Sequence, residues 1–277
     1  MRPISAVLQD LAERIRALES PRRSQTRPLH LPLLTPLLSG AELPAGSLIE
    51  LLPATPAAGA WTLALLLARD VCIEPLSPPG ERGWGEGGVF PRAAPSPPTP
   101  LPRRGEGSRR PPLSRRGEWN RSLILIDPRG DLYPPAAVNL GIDLERTIIV
   151  RPRSRAEAHL ALDLSLRSGA VGAVIGVCDR LRGVESQRLK WAAEAGSGLG
   201  VVIRAEKGPS FADLRLAVAP LPSIDAKRRV RVESLRWRGG PEGKALVLEI
   251  DDETGDVHLS AELAAAEAGA RASRAVS

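Results

Sequence analysis

Residues 47–70, SLIELLPATPAAGAWTLALLLARD, constrain the fold more than any other stretch of this chain. The apolar run from Ser47 to Leu52 predicts a buried strand, residues 53–58 predict a loop of small residues and prolines, and Thr62 to Ala68 predict the start of an apolar helix. Strand, small-residue loop and helix in this order are the layout of a P-loop, in which backbone N–H groups at a helix N-terminus hold phosphate. We therefore take this unit as the one around which the chain is organised.

The residues that give a P-loop its chemistry are absent from this loop. On the template G-x-x-x-x-G-K-[ST], Ala54 stands at the first glycine, Ala60 at the lysine and Trp61 at the Ser or Thr that holds Mg²⁺. Only Gly59 matches, and the first lysine of the chain is Lys190. The alternative to a degenerate P-loop is that Gly59 is a turn residue ahead of a core helix. Under either interpretation we expect no bound nucleotide cofactor.

Composition limits the other classes of function. The chain has 277 residues, 43% of them hydrophobic, which is enough for a sizeable core. It contains neither a run of 18 apolar residues nor a signal-peptide pattern, so we expect a cytoplasmic protein without a membrane contact. Its two cysteines and three histidines are scattered, which predicts neither a disulfide framework nor a metal site.

Residues 75–118 differ from the rest in composition. They are rich in Pro, Gly and Arg, and the tetrapeptide RRGE occurs at 103–106 and again at 115–118. Such a segment buries too little apolar surface to offset the entropy of ordering it, so we predict a disordered insert between two core elements. Much of the net charge of +6 falls in this segment. The alternative is an Arg-rich arm that binds nucleic acid.

Residues 1–46 are predicted to form an N-terminal helix followed by a segment that wraps the surface. The helix covers residues 3–19, and its apolar stripe includes Leu8, Leu11 and Ile15. A helix this far from the next strand can pack on its own domain or on a partner protein, and both alternatives remain open.

Strands alternate with helices from Ser122 to Pro222. Apolar runs predict strands, among them Thr147 to Val150 and Leu199 to Ile203, and Ser154 with Glu157 forms a capping box at the start of a helix. This alternation indicates βαβ units and a mostly parallel sheet flanked by helices. We assign residues 47–74 and 119–222 to this α/β core.

The pattern changes after Pro222, where apolar residues alternate with charged ones. This predicts an antiparallel C-terminal extension over residues 223–260, with an Ala-rich tail over 261–277. The basic residues of the extension form one cluster: Lys227, Arg228, Arg229 and Arg231. A DNA contact and a solvated strand edge are the two alternatives for that cluster. Four acids between residues 251 and 256 are interpreted as a turn between strands, with weak binding of a cation as the alternative.

Residues 123–204 resemble the core of the RecA-like recombinases. The motifs that carry the resemblance are LILIDPRGD from Leu123, LGID at 140–143 and RSGAVGAVIGV at 167–177, in the order of that family. VRPRSRAEA and WAAEAG at 191–196 are similar to ImuA-type proteins, inactive RecA relatives that accompany a polymerase-like protein and an error-prone polymerase in SOS mutagenesis. The cell-division inhibitor SulA is a more distant relative of the same group.

The resemblance also shows which catalytic residues this chain lacks. Arg129 stands where the recombinases place a catalytic Glu, and a guanidinium stays protonated and cannot act as a base. Val177 occupies the position where the recombinases have an Asp that helps to hold the metal, and Asp179, two residues later, is an incomplete substitute. Arg204 occupies the position where they have a Gln that senses the nucleotide. We therefore expect no catalytic residues, no metal and no enzyme activity.

These observations together predict a non-catalytic, ImuA-like accessory factor in SOS translesion DNA synthesis. We expect it to act through contacts with a polymerase-like protein, an active recombinase or both, with a weak DNA contact in addition. One alternative is a recombinase paralogue that binds ATP, and another is a SulA-like inhibitor of cell division.

Overall fold

A single nine-stranded sheet runs through the described part of the chain. The computed structural model describes residues 9–11, 13–15, 28–75, 117–119, 121–224, 227–240, 242–252 and 254–260. Most of the predicted insert, the predicted tail and Leu8 lie outside these residues.

Strands and helices alternate from Ser122 to Ile203, and the strands after Ile203 follow one another without a helix between them. The strands are β1 (Leu48–Pro53), β2 (Ile73–Pro75), β3 (Gly117–Trp119), β4 (Ser122–Ile126), β5 (Thr147–Val150), β6 (Val171–Val177), β7 (Leu199–Ile203), β8 (Leu214–Ile224), β9 (Lys227–Trp237), β10 (Ala245–Ile250) and β11 (Val257–Leu259). The helices are α1 (Ala60–Cys72), α2 (Pro134–Asn139), α3 (Arg155–Leu166) and α4 (Gly183–Gly196). Short 3-10 helices occupy Pro32–Leu34 and Leu144–Arg146.

The order of the strands across the sheet is β11-β10-β9-β8-β1-β7-β6-β4-β5. The six strands from β8 to β5 are parallel to their neighbours, whereas β9, β10 and β11 continue the sheet in antiparallel pairs. The prediction of a mostly parallel sheet with an antiparallel C-terminal extension is confirmed. The extension is part of the same sheet and not a separate layer.

Helices cover both faces of the parallel strands. The helix α1, the helix α2 and the segment from Leu29 to Leu43 bury their apolar residues against one face. The helices α3 and α4 bury theirs against the other face, where Leu11 and Ile15 of the N-terminal helical segment join the same cluster. Burial on both faces explains why the central strands are continuous apolar runs.

Local sequence signals account for several helix ends. The Oγ of Ser154 accepts a hydrogen bond from the backbone N–H of Glu157 at 3.2 Å, which caps α3 as predicted. Pro134 occupies the first position of α2, where its missing N–H costs nothing. None of the helices in the described ranges is long and apolar enough to cross a bilayer.

Two elements of the structure extend beyond the boundaries predicted from the sequence. The strand β8 continues past Pro222 to Ile224, so the change from parallel to antiparallel pairing occurs within one strand. At the predicted insert, Pro75 pairs with Gly117 in a small antiparallel ladder of β2 and β3. The ladder holds the two ends of residues 76–116 side by side.

Candidate functional site at the carboxyl edge of the sheet

The loop after β1 has the layout of a P-loop, and backbone hydrogen bonds within the loop and to β8 fix its shape. The backbone N–H of Ala54 donates to the carbonyl of Val218 at 2.8 Å, and that of Ala58 donates to the carbonyl of Thr55 at 3.0 Å. Gly59 caps α1 with a φ of 84°, and a Cβ there would lie 2.9 Å from a methyl group of Val230. Gly59 is therefore required by the turn itself, whether or not the loop holds a ligand.

The positions of the P-loop lysine and hydroxyl residue belong to the core. Ala60 is buried, and the half-buried Trp61 packs against the core cluster around α1. A cation reaches this turn from β9, where a guanidinium nitrogen of Arg228 lies 3.4 Å from the Oγ1 of Thr62. Arg228 also donates to Asp252 at 2.8 Å. The sequence assigned Arg228 to a basic cluster and contained no signal that it lies beside the loop.

Asp127, at the end of β4, organises the backbone that follows it. Its carboxylate is buried and accepts hydrogen bonds from the backbone N–H groups of Gly130, Asp131 and Leu132 at 2.9, 3.1 and 3.0 Å. The carboxylate of Asp127 therefore fixes the backbone conformation of the loop after β4.

Arg129 and Asp179 form an ion pair across the loops after β4 and β6. Both side chains are exposed, and Val177, which ends β6, is buried beside them. Arg129 stands where the resemblance implies a catalytic base. It is therefore joined to Asp179, the carboxylate two residues after the implied metal-binding position. Asp179 is engaged by a guanidinium in this arrangement.

Arg204, at the end of β7, lies in a buried ionic triad. Its Nη1 donates to the Oε1 of Glu50 at 3.0 Å, and Glu50 lies between it and the Nε of Arg215, 3.1 Å away. Arg204 is 1% exposed and Glu50 is 0% exposed. Arg204 also donates to the carbonyls of Leu181 and Pro209, each at 3.2 Å. The triad joins β7, β1 and β8.

Sequence reasoning missed Glu50, although a signal was present. Glu50 is the one charged residue in the run SLIELL, and its neighbours are fully buried apolar residues. A carboxylate within such a strand needs a buried cation, because burial of an unpaired charge is costly. The partners lie on other strands and become evident only from the register of the sheet.

The residues predicted to contact a partner lie in the interior where they are described. Leu11 is 2% exposed and Ile15 is 6% exposed, and both belong to the cluster beneath α3 and α4. The described residues therefore show the arrangement in which the helix packs on its own domain. A partner contact through Leu8, Leu11 and Ile15 stays a prediction.

The basic cluster on β9 is interleaved with carboxylates. Arg228 pairs with Asp252, Arg229 is buried with its Nε 3.7 Å from Glu249, and Arg231 pairs with Glu233 at 3.2 Å. Lys227 starts the strand and is partly buried. A DNA contact here stays a prediction, and it requires these pairs to exchange.

The described residues after β10 form the predicted turn. The N–H of Asp251 donates to the carbonyl of Asp256 at 2.9 Å, and the hydroxyl of Thr254 donates to Asp256 at 2.9 Å. Within the described ranges, no group of three or more His, Cys, Asp or Glu side chains is arranged to hold a metal ion.

Comparisons with known proteins support the architecture. The crystal structure of the RadB recombinase superposes with a TM-score of 0.50 at 16% identity, covering 80% of this chain and 94% of that one. Together with the sheet described above, this likeness defines a RecA-like fold.

Curated relatives match a smaller part of the chain. It is 29% identical over 117 residues to the cell division inhibitor SulA of Photorhabdus laumondii, covering 41% of this chain and 66% of that protein. It is 29% identical over 120 residues to SulA of Edwardsiella piscicida, covering 43% and 68%. The chain thus spans about two thirds of the length of these relatives. No family model matches the chain.

Proposed function

We propose that this protein is a non-catalytic RecA-like accessory factor of the ImuA type, acting in SOS translesion DNA synthesis through protein–protein contacts. The observation that carries the proposal is the intact sheet with a carboxyl edge that lacks the groups for ATP chemistry. Ala60 is buried, Arg129 is paired with Asp179, and Arg204 is held by Glu50. Each position thus contributes to packing or to an ion pair.

The free edge of the sheet at β5 supports the proposed partner contact. In the described part of the chain, β5 pairs with β4 alone, so its other edge presents backbone groups without a neighbouring strand. Apolar side chains are exposed on β5 and on the connection that leads to it: Tyr133, Val138, Leu144 and Ile149. An edge strand with exposed apolar neighbours suits a partner that adds a strand to the sheet.

The proposed partners are a polymerase-like accessory protein and the active recombinase of the same cell. The test is co-purification of each candidate with the wild-type protein and with Ile149→Asp, which places a charge on the β5 edge. Leu259→Asp is the matched control, since Leu259 is an exposed apolar residue on β11 at the opposite edge. Both variants should show the circular dichroism spectrum of the wild type.

We expect Ile149→Asp to lose the partner and Leu259→Asp to retain it. Retention of both candidates by Ile149→Asp at the wild-type level excludes the β5 edge as the interface. If neither candidate is captured by the wild-type protein, the accessory function itself is wrong.

A SulA-like inhibition of cell division is the second candidate function. The two matches to SulA proteins favour it, since each covers about two thirds of a protein named for that activity. Expression of the protein in a growing bacterial culture separates the candidates. Long undivided cells support division inhibition, whereas cells of normal length that retain the polymerase-like partner support the accessory function.

A further inference from the structure

A cavity of about 250 Å³ opens between the loops that follow β4 and β6 and the first turns of α3. Arg129 comes from the first loop, Asp179 and Arg180 come from the second, and Arg155 and His159 come from α3. Residues of the loop after β1 do not line it. The cavity is thus separate from the degenerate P-loop.

The topology places this cavity where parallel sheets favour ligand binding. The chain leaves β4 by way of α2 on one face of the sheet and pairs β5 on one side. It leaves β6 by way of α4 on the other face and pairs β7 on the opposite side. Adjacent strands whose connections diverge in this way leave a crevice outside their carboxyl ends, which is the preferred ligand position in open α/β sheets.

The walls combine an apolar floor with an excess of positive charge. Ala158 and Val177 are buried and supply apolar surface. The guanidinium groups of Arg129, Arg155 and Arg180 face the cavity with a single carboxylate, that of Asp179. The carboxylates that pair with Arg155 and Arg180, those of Glu185 and Glu206, do not line the cavity, so an anion inside it meets three guanidinium groups and one carboxylate.

His159 lines this cavity, and one nitrogen of its ring is buried beside the cavity without a hydrogen-bond partner among the described residues. Its Nδ1 lies 3.5 Å from a carboxylate oxygen of Glu185, whereas its Nε2 is buried without a hydrogen-bond partner among the described residues. Buried polar atoms are nearly always hydrogen-bonded, so an orphaned ring nitrogen in a cavity wall indicates a missing polar group.

The three guanidinium groups can redirect to a ligand at little cost. Arg129 pairs with Asp179, Arg155 with Glu185 and Arg180 with Glu206, and all three arginine side chains are substantially exposed. Exposed ion pairs hold their partners weakly, whereas phosphate accepts strong charge-assisted hydrogen bonds from arginine.

We propose that this cavity binds a small organic phosphate monoester. The phosphate dianion is held by Arg129, Arg155 and Arg180 beside the His159 ring, which takes up a proton on Nε2 when the dianion binds, and the organic group lies on Ala158 and Val177. At about 250 Å³ the cavity admits a ligand smaller than a drug-sized molecule. The inference is independent of the proposed accessory function.

The test is calorimetric titration of the full-length protein with phenyl phosphate, accompanied by NMR of the histidine ring resonances. We expect saturable binding, a shift of the His159 resonances, and affinity lowered about tenfold or more in Arg129→Gln and His159→Gln. Arg238→Gln removes the same charge from an exposed position at the amino end of β8 and should bind as the wild type does.

Three results would overturn the proposal. The first is no saturable binding of phenyl phosphate at millimolar concentration. The second is equal binding of phenol or benzoate, which shows that the dianion is not recognised. The third is unchanged affinity in both Arg129→Gln and His159→Gln when circular dichroism shows that the variants are folded.

Discussion

Arg204 and Glu50 lie 154 residues apart in the chain, yet the Nη1 of Arg204 and the Oε1 of Glu50 share a buried hydrogen bond of 3.0 Å. Arg215 approaches the other carboxylate oxygen of Glu50 at 3.1 Å. One carboxylate thus pairs with two guanidinium groups, and the pairing ties β1 to both of its neighbouring strands.

Replacement of Glu50 by glutamine should therefore be strongly destabilising. It leaves two guanidinium groups without a charged partner in the interior, and breaking a buried pair in this way costs about 3–5 kcal/mol. Urea denaturation measures the free energy of unfolding. Glu206→Gln is the control, because its pair with Arg180 is exposed to solvent and exposed ion pairs contribute little to stability. Equal stability of the two variants would show that the triad is not a stabilising element.

The second prediction is that the protein has no measurable affinity for Mg-ATP. Ala60 and Trp61 supply neither the charge nor the metal ligand of a P-loop, and both groups normally contribute several kcal/mol of charge stabilisation. Calorimetric titration with Mg-ATP should show no saturable heat. Micromolar binding that is abolished by substitutions within residues 57–61 would instead support the alternative of an ATP-binding recombinase paralogue.

The third prediction concerns residues 76–116. Because β2 and β3 pair with each other, the two ends of this segment leave and rejoin the core at adjacent backbone positions. Its replacement by a short Gly/Ser linker should change the Tm by only a few degrees, since each doubling of loop length costs about 0.6 kcal/mol. A fall in Tm of more than about 10 °C would show that the segment contributes to the folded core.

The fourth prediction tests the N-terminal helical segment. Leu11 and Ile15 are buried among the residues beneath α3 and α4, so Leu11→Asp with Ile15→Asp places two charges in the interior. We expect a loss of about 3 kcal/mol or more in unfolding free energy. Val184→Asp on the exposed face of α4 is the control and should be neutral. A stable double variant that no longer captures a partner would favour the partner-binding helix.

The fifth prediction is a pH dependence of stability. Burial lowers the pKa of His159, opposed by Glu185 and reinforced by Arg155. The unfolded chain therefore takes up a proton first as the pH falls below about 6.5, and the stability that neutral His159 contributes above that pH is lost below it. The decrease between about pH 7.5 and 5.5 should be smaller in His159→Gln than in the wild type. Identical pH profiles for the two proteins would contradict the assignment.

Strands buried on both faces were predictable because nearly every residue in them is apolar. Leu199–Ile203 is such a strand and has the predicted bounds. The edge strand Thr147–Val150 also has the predicted bounds because it is an apolar run, although only Val150 in it is buried. The sequence places the change of pattern after Pro222, whereas β8 runs on to Ile224. Its partner β1 ends opposite Val218, so Pro220 and Pro222 lie where β8 pairs with β9 alone, and an edge tolerates a missing N–H.

The candidate site was predictable as a set of substitutions but not as a set of contacts. The sequence identified Ala60, Arg129 and Arg204 as residues that replace catalytic groups. It could not show that Arg129 meets Asp179 or that Arg204 meets Glu50, because each pair depends on which loops and strands become neighbours in the sheet. The contact of Arg228 with Thr62, at the start of α1, could not be predicted for the same reason.

The course of β8 gives the molecule a fixed width. Since this strand pairs with β1 over its first half and with β9 along its length, the parallel and antiparallel parts share one backbone and have no hinge between them. Eight strand spacings of about 4.8 Å separate β5 from β11, a span of about 38 Å. Two molecules attached at opposite edges would thus be kept at a set separation, as by a rigid spacer.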